Sequence, residues 1–523
     1  MIKLKIDNKD ITAEPGMTVL DAAALAGVTI PALCYNKETG HFTSCMVCMV
    51  MDTEREQLIP SCSALVRHGM DLSTTDPQVT EARKMSLELL LSEHVGDCEA
   101  PCRTACPAYM DIPLMNTYLA GGMPGKALET VRKDIAFPSV LGRICPAPCE
   151  GACRRKGIDG AVSVCLLKRF AGDEGLEKEI PSLPLPETGK KVAIIGAGIA
   201  GLSAAWYLHL KGIKCIVFDK QPEAGGALRY AIDDQTLDKK VLDREINYIL
   251  ESGIGLFPET EISADGFNKL RSEYDAVVLA SGDFREDMKE WGLDNNGKQV
   301  TVDKKTYQTN FPEVFAIGNV NRSIKLAIRS AAQGKEVAHS IEQFLEGREV
   351  TGEYRLFNSR FGRINAEEYE TYIQEAAREK RLEPSGGIPL GFTTEEVRTE
   401  ASRCMHCECL KPLDCKLRIL SGQYGASQKR FSYEERRNIV KQWQHELVVY
   451  EKGKCIKCGI CVRLTGKHGE QLGLTYIGRG FDVEIAVPFN EGLGRGLEST
   501  AVMVAEACPT GALAIRNING KKP

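Results

Sequence analysis

The sequence predicts a multidomain α/β protein, and three observations carry that prediction. Its 523 residues exceed what one hydrophobic core serves, so about three to five domains are expected. The stretch 191–219 reads as strand, tight turn, helix and strand in order. Twenty cysteines gather in three regions, 34–62, 98–165 and 404–508, with Cys215 alone outside them. An apolar content of 43% and a charged content of 26% are ordinary for a soluble globular chain. The net charge of −5 gives no basis for a nucleic-acid partner, and no apolar window is long enough for a membrane span. MIKLKIDNKD lacks the continuous apolar core of a signal peptide. A cytoplasmic, reducing setting is therefore expected, in which grouped thiols bind metal rather than pair as disulfides.

The segment VAIIG suits a strand buried on both faces, and Gly196-Ala197-Gly198-Ile199-Ala200-Gly201 follows it as G-x-G-x-x-G. Gly196 allows the turn, Gly198 lets the backbone approach a pyrophosphate, and Gly201 lets the next helix pack against the strand. KCIVFD then reads as the second strand, with Cys215 a small buried residue. Asp219, at its end, can accept hydrogen bonds from a ribose.

Downstream stand Lys220, Gly225-Gly226, LRYAI with Arg229, VLDREINYIL, YDAVVLASG ending at Gly282, FPEVFAIGN with Gly318-Asn319, and AIRSAAQGKEVAHSI. Together these resemble FAD enzymes of the two-dinucleotide-binding class, in particular the small subunit of bacterial glutamate synthase and the flavin part of dihydropyrimidine dehydrogenase. The resemblance covers about residues 95–345. It implies a Rossmann-like domain, here residues 181–345 entered through the linker PSLPLPETGK, holding FAD. The implied contacts are Gly196, Ala197, Gly198, Ala200, Gly201, Asp219, Lys220, Gly225, Gly226, Arg229, Gly282, Gly318 and Asn319. The family's late motif ends Gly-Asp where this chain has Gly318-Asn319; an amide can still hydrogen-bond a ribityl hydroxyl.

In the resembling enzymes a nicotinamide-nucleotide domain lies between the two halves of the flavin domain. Here Gly282 and Gly292 are separated by nine residues, DFREDMKEW, against the roughly 30 that a βαβ unit takes. No second glycine fingerprint appears. The chain is thus expected to hold a flavin but not to oxidise NADH or NADPH by itself.

Residues 1–76 begin with strands IKLKI and DITAE and a helix around Thr18–Ala26. Cys34, Cys45, Cys48 and Cys62 then give C-x10-C-x2-C-x13-C, unlike the two close pairs of a zinc ribbon, although a zinc site is the alternative. The pattern resembles the [2Fe–2S] domain of the complex I electron-entry subunit and of iron-only hydrogenases, which implies a β-grasp, ferredoxin-like domain with one [2Fe–2S] cluster.

Residues 77–180 open with a helix capped by Asp76, with Pro77 in its first position. His94, Cys98, Cys102 and Cys106 follow at four-residue steps, then Cys145, Cys149, Cys153 and finally Cys165. APCRTACPAYMDIP and ICPAPCEGACRRKGIDGAV resemble the helical double-[4Fe–4S] domain that precedes the flavin in the glutamate synthase and dihydropyrimidine dehydrogenase families. By that resemblance Cys102 and Cys106 join Cys149 and Cys153. Cys98, Cys145 and Cys165 remain, one ligand short. A His-x3-Cys pair ligates a cluster in the complex I and hydrogenase families, so His94 is the expected fourth; an ordinary core or surface histidine is the alternative.

Residues 346–403 are expected to connect, through an exposed charged helix in INAEEYETYIQEAAREKRLE and a second helix opened by the capping box Thr393-x-x-Glu396. In 404–523, Cys404, Cys407, Cys409 and Cys415 could hold [4Fe–4S] or a structural zinc, with His406 a bystander. Cys455, Cys458 and Cys461 with the distant Cys508-Pro509 closely resemble a [4Fe–4S] segment of the complex I electron-entry subunit.

The expected cofactors are one FAD, one [2Fe–2S] and three to four [4Fe–4S], and no set of residues is arranged for catalysis of its own. Cofactors then carry the chemistry, and the chain is expected to be an electron-transfer subunit of a multi-subunit NADH-dependent or electron-bifurcating oxidoreductase. Its partners would be an NADH- and flavin-binding subunit and a terminal hydrogenase, formate dehydrogenase, ferredoxin or other reductase. The alternatives are a self-contained oxidoreductase resembling the glutamate synthase small subunit, and a scaffold with a vestigial flavin site.

Overall fold

The computed structural model describes residues 1–176, 186–431 and 436–516. The first part of the expected linker, 181–185, lies outside them. The chain divides into two compact units, neither of them continuous in sequence. One takes residues 1–100, 356–375 and 406–523; the other takes 101–355 and 376–405. These units cut across the expected boundaries at 76, 180, 345 and 403.

The first unit opens with a mixed five-stranded sheet in the spatial order Lys9–Ala13, Ile2–Ile6, Asp71–Ser73, Met49–Asp52, Gln57–Pro60. Ile2–Ile6 is antiparallel to its hairpin partner and parallel to Asp71–Ser73. Alternation puts Leu4 and Ile6 on the buried face, where they meet Val19, Leu20, Ala22 and Ala23 of the helix Val19–Leu25. Thr18 caps that helix by accepting the Asp21 N–H at 3.1 Å. The helix Pro77–Ser92, capped by Asp76, buries Leu87 and Leu91 in a second core with Val448, Leu464 and Leu513. Its Arg83 guanidinium donates to the Met49 carbonyl at 3.1 and 2.9 Å. The C-terminal part of the unit holds a three-stranded antiparallel sheet, ordered Lys441–Gln442, Val448–Glu451, Leu513–Ile515, and the pair Thr475–Ile477 with Glu484–Ala486.

The second unit is a helical layer followed by a five-stranded parallel sheet. The sheet order is Val314–Ala316, Ala276–Leu279, Lys191–Ile195, Lys214–Phe218, Gly255–Phe257. The order reverses beside Lys191–Ile195, so a crevice opens at the C-terminal ends of that strand and Ala276–Leu279. The helices Ile199–His209 and Ala327–Leu345 pack against each other at backbone distance: a Cβ on Gly334 would stand 2.8 Å from the Ala200 carbonyl oxygen. Between Leu279 and Val314 there is one 3₁₀ segment, Glu286–Trp291, and no strand, so no second nucleotide-binding unit is built there.

The expected long helix over 364–383 is replaced by a 3₁₀ turn, Ala366–Glu368, and one helical turn, Tyr369–Ile373. The chain passes from one unit to the other between Glu375 and Ala376. In the second unit the Ala377 N–H donates to the Ser402 carbonyl instead of to a helix. Tyr372 and Ile373 are buried, so the segment is not the exposed helix its charges suggest. The Thr393–Glu396 capping box does open a helix, Thr394–Ser402. Among the described residues no helix is long and apolar enough to cross a membrane.

Candidate cofactor sites

The crevice of the parallel sheet is a cavity of about 480 Å³. Gly196, Gly198, Ala200, Asp219, Lys220, Gly225, Gly226, Gly282, Gly318 and Asn319 all line it. Gly198 caps the helix Ile199–His209 without any side-chain hydrogen bond, which leaves the first-turn N–H groups for an anion. Gly198 and Gly226 approach closely: a Cβ on Gly226 would stand 2.9 Å from Gly198 Cα. A glycine cradle, an uncapped helix start and an acid at the second strand's end together fit a dinucleotide such as FAD.

Three expected contacts sit elsewhere. Ala197 is wholly buried and gives its N–H to Asp219 Oδ2 at 2.5 Å, while Asp219 Oδ1 accepts from the Gln221 N–H at 2.8 Å. Asp219 thus braces the turn itself. Gly201 lies behind the turn, against Gly196 and Ile194. Arg229 points away from the crevice, donating to the Ala224 carbonyl at 2.7 Å and pairing with Asp243 and Glu223. Asn319 lines the crevice, yet its amide is already engaged: Nδ2 donates to Asp283 at 3.1 Å and Oδ1 accepts from the Ile324 N–H at 2.9 Å. Thr260, Lys325 and Ser330 also line the cavity and went unread in sequence, although the first follows a strand's C-terminal end, where such folds bind ligands.

None of the described cysteines is in a disulfide. Cys34, Cys45, Cys48 and Cys62 are buried together in the first unit. Cys34 is held down as a thiolate by hydrogen bonds from the Cys45 and Cys62 thiols, and Cys48, bonded to Cys62, falls to about 7. Thr43 Oγ1 lies 3.8 Å from Cys62 Sγ. Cys455, Cys458, Cys461 and Cys508 line one small enclosed cavity with Tyr450, Ile460, Ile485 and Leu513. Burial pushes Cys455 to about 11 and Cys458 to about 12, so these thiols ionise at neutral pH only with a compensating cation.

The other cysteines are grouped differently from the expected pairing. In the second unit Cys165 shares a thiol hydrogen bond with Cys145 and another with Cys149, and Cys106 feels the charge of Cys145. Lys168, one helical turn after Cys165, is buried among all four, its Nζ 4.0 Å from Cys165 Sγ. His94 and Cys98 belong to the first unit. There the Cys409 N–H donates to the Cys98 carbonyl at 3.2 Å, and Cys98 Sγ lies 3.2 Å from Ser359 Oγ. Burial first, then the charges of Cys409 and Cys98, raise Cys415 to about 12.

His94 stands by Lys454, which also faces Cys409 and is held by Glu451 at 2.6 Å. Burial and the Lys454 ammonium push the imidazole down to about 4, and among the described residues its buried Nδ1 has no hydrogen-bond partner. A neutral ring with an unpartnered nitrogen is suited to a metal. Within the first unit the structure brings Cys98 to Cys409 and Cys415, whereas the expected partners Cys145 and Cys165 belong to the second unit. The physical reason is that the 404–415 stretch returns to the first unit after Met405, carrying Cys407, Cys409 and Cys415 with it and leaving Cys404 in the second. Cys102, Cys153 and Cys404 belong to the second unit and Cys407 to the first. Among the described residues no three His, Cys, Asp or Glu side chains converge on a single-ion site.

Sequence comparison finds three domain families along the chain. Residues 1–77 match a 2Fe–2S iron–sulfur cluster binding domain, 92–180 the 4Fe–4S domain II of dihydropyrimidine dehydrogenase, and 151–334 a pyridine nucleotide-disulphide oxidoreductase domain. The chain is 38% identical over 204 residues to the NADPH-Fe(3+) oxidoreductase subunit beta of Geobacter sulfurreducens, covering 38% of this chain and 30% of that one. It is 38% identical over 210 residues to the glutamate synthase [NADPH] small chain of Bacillus subtilis (39% and 43%). A third relative, the NADP(+)-dependent formate dehydrogenase subunit beta of Moorella thermoacetica, is 35% identical over 207 residues (35% and 29%). The chain spans less than half the length of each of these relatives. The domains are those of an iron–sulfur, flavin-type oxidoreductase.

Proposed function

We propose that the chain is an electron-transfer subunit of a larger cytoplasmic redox complex, NADH-dependent or electron-bifurcating, that receives electrons from or passes them to partner subunits. FAD would be held by the crevice around Gly196, Gly198 and Gly226, and one [2Fe–2S] by Cys34, Cys45, Cys48 and Cys62. Three [4Fe–4S] clusters would sit on Cys455, Cys458, Cys461 and Cys508, on Cys106, Cys145, Cys149 and Cys165, and on His94, Cys98, Cys409 and Cys415. Bound flavin exchanges electrons in pairs or singly, and the clusters singly. The chain's own residues would bind, bury and space these groups.

One observation carries the reading. The crevice gathers ten of the expected flavin contacts, while the segment from Leu279 to Val314 has one 3₁₀ segment and no strand. On this reading a hydride from NADH or NADPH has no docking domain among the described residues, and a partner would supply it. The test is stopped-flow mixing of the purified holoprotein with each nucleotide, alone and with its copurifying partners. Flavin bleaching only with a partner is the expected result. Rapid bleaching of the chain alone would refute the relay reading and favour a self-contained oxidoreductase like the glutamate synthase small chain.

A further inference from the structure

Four lysines are buried in the described structure: Lys168, Lys335, Lys441 and Lys454. Three of them have carboxylates. Lys335 pairs with Asp134 at 2.8 Å and Glu353 at 3.3 Å. Lys454 and Lys441 share Glu451 at 2.6 and 3.8 Å. Lys168 is only 3% exposed, and among the described residues no carboxylate pairs with it. It lies on the helix Val164–Leu176, between Leu167 and Arg169, and among the described residues its polar neighbour within hydrogen-bond reach is Cys165 Sγ at 4.0 Å. The charges acting on it are those of Cys165, Cys145, Cys149 and Cys106.

An ammonium removed from water costs several kcal/mol unless an opposite charge stands beside it. Here sulfur supplies that charge. The same attraction works in the other direction. A fixed positive charge against a thiolate-held cluster favours the state with one more electron, because that state is one unit more negative. Burial keeps the field strong, since little water lies between to screen it. Lys454, by contrast, is largely neutralised by Glu451, so its field at Cys409 is that of an ion pair.

We propose that Lys168 sets the reduction potential of the cluster held by Cys106, Cys145, Cys149 and Cys165, raising it above what the same thiols would give alone. This rests on the reading of those four cysteines as one four-iron site. The change read is the addition of one electron to the cluster.

The test uses the full chain, purified anaerobically, as Lys168→Met and Lys168→Arg, with iron counting and a potentiometric titration followed by electron paramagnetic resonance. Lys168→Met should keep its iron and move one [4Fe–4S] midpoint to a more negative potential, the others and the flavin staying in place. Lys168→Arg should stay near the parent value. A fully loaded Lys168→Met with every midpoint unmoved would overturn the proposal. If Lys168→Met loses about four irons, retention of them in Lys168→Arg supports the charge requirement, and loss in both overturns it in favour of simple packing. Cys165→Ala identifies the signal: if the shifted signal survives that change, the assignment of the cluster to these thiols fails instead.

Discussion

Replacing Gly201 by alanine separates the two jobs of the glycine fingerprint. A Cβ there would stand 2.0 Å from the Gly196 carbonyl oxygen and 3.2 Å from both Gly196 C and Ile194 Cγ2. The first distance is a full ångström inside the 3.0 Å that real Cβ atoms essentially never breach. The oxygen belongs to the backbone, so no rotamer change relieves the overlap. The helix Ile199–His209 must lift from the strand Lys191–Ile195, which opens the turn. Overpacking of this kind costs about 2 kcal/mol, or roughly 4–8 °C in Tm for a domain of this size. At Gly198 the nearest atom to a new Cβ is Gly226 Cα at 3.9 Å, an ordinary contact. Gly198→Ala should therefore leave the flavin-free protein as stable as its parent while weakening FAD binding at least about tenfold, or ~1.4 kcal/mol, because the methyl stands where a pyrophosphate approaches. Differential scanning fluorimetry of flavin-free protein and fluorescence titration with FAD read the two effects. A Gly201→Ala protein that melts with its parent, or a Gly198→Ala protein that binds FAD as well as its parent, would refute the reasoning.

Three further outcomes are expected. His94→Ala should remove or open one cluster, the same one lost in Cys409→Ala, while the [2Fe–2S] signal and flavin remain; an unchanged spectrum would return His94 to an ordinary buried role. Iron analysis of anaerobic protein should give about 14 atoms from the four groups, and about 18 if a fourth [4Fe–4S] is bound; fewer than about 12 would remove one assignment. Glu245 is buried and accepts from the Ser139 and Val140 N–H groups at 2.8 and 2.9 Å, yet burial outweighs those bonds and raises its carboxyl to about 7. A raised acid contributes stability that is whole below its unfolded value near 4.5 and is lost as pH climbs through 7. Melting curves from pH 5 to 8 should show that decline in the parent and a flatter slope in Glu245→Gln.

The parallel sheet was legible because its information is local. VAIIG, the glycines and KCIVFD lie within thirty residues, and their order alone implies strand, turn, helix and strand. Two thiol sets, Cys34/Cys45/Cys48/Cys62 and Cys455/Cys458/Cys461/Cys508, were legible from their spacing, but the grouping of the thiols in 98–165 and 404–415 was not, because spacing reports only neighbours along the chain. Cys98 looks like the start of a run with Cys102 and Cys106, but the backbone of Cys409 is what meets it. Arg229 looked like a cofactor contact beside Gly225-Gly226, whereas Asp243, fourteen residues on, takes its guanidinium. Lys168 did leave a trace, a cation one turn beyond Cys165 and directly after two leucines. The segment 364–383 misled through its charges, which hid the burial of Tyr372 and Ile373.

The contact between Cys98 and Cys409 has a consequence for how the protein is made. More than three hundred residues separate the two in sequence. At about 5–20 residues per second, the ribosome delivers the later one roughly a quarter-minute to a minute after the earlier. During that interval the second unit's residues 101–355 emerge and can fold, while His94 and Cys98 wait with half a site. An unclaimed thiol is open to oxidation or to the wrong metal for that whole time. A cluster on this set would then be inserted late, only after Cys409 and Cys415 have emerged. A chain cut short after the flavin region would carry the beginning of that site without its completion, whatever its flavin content.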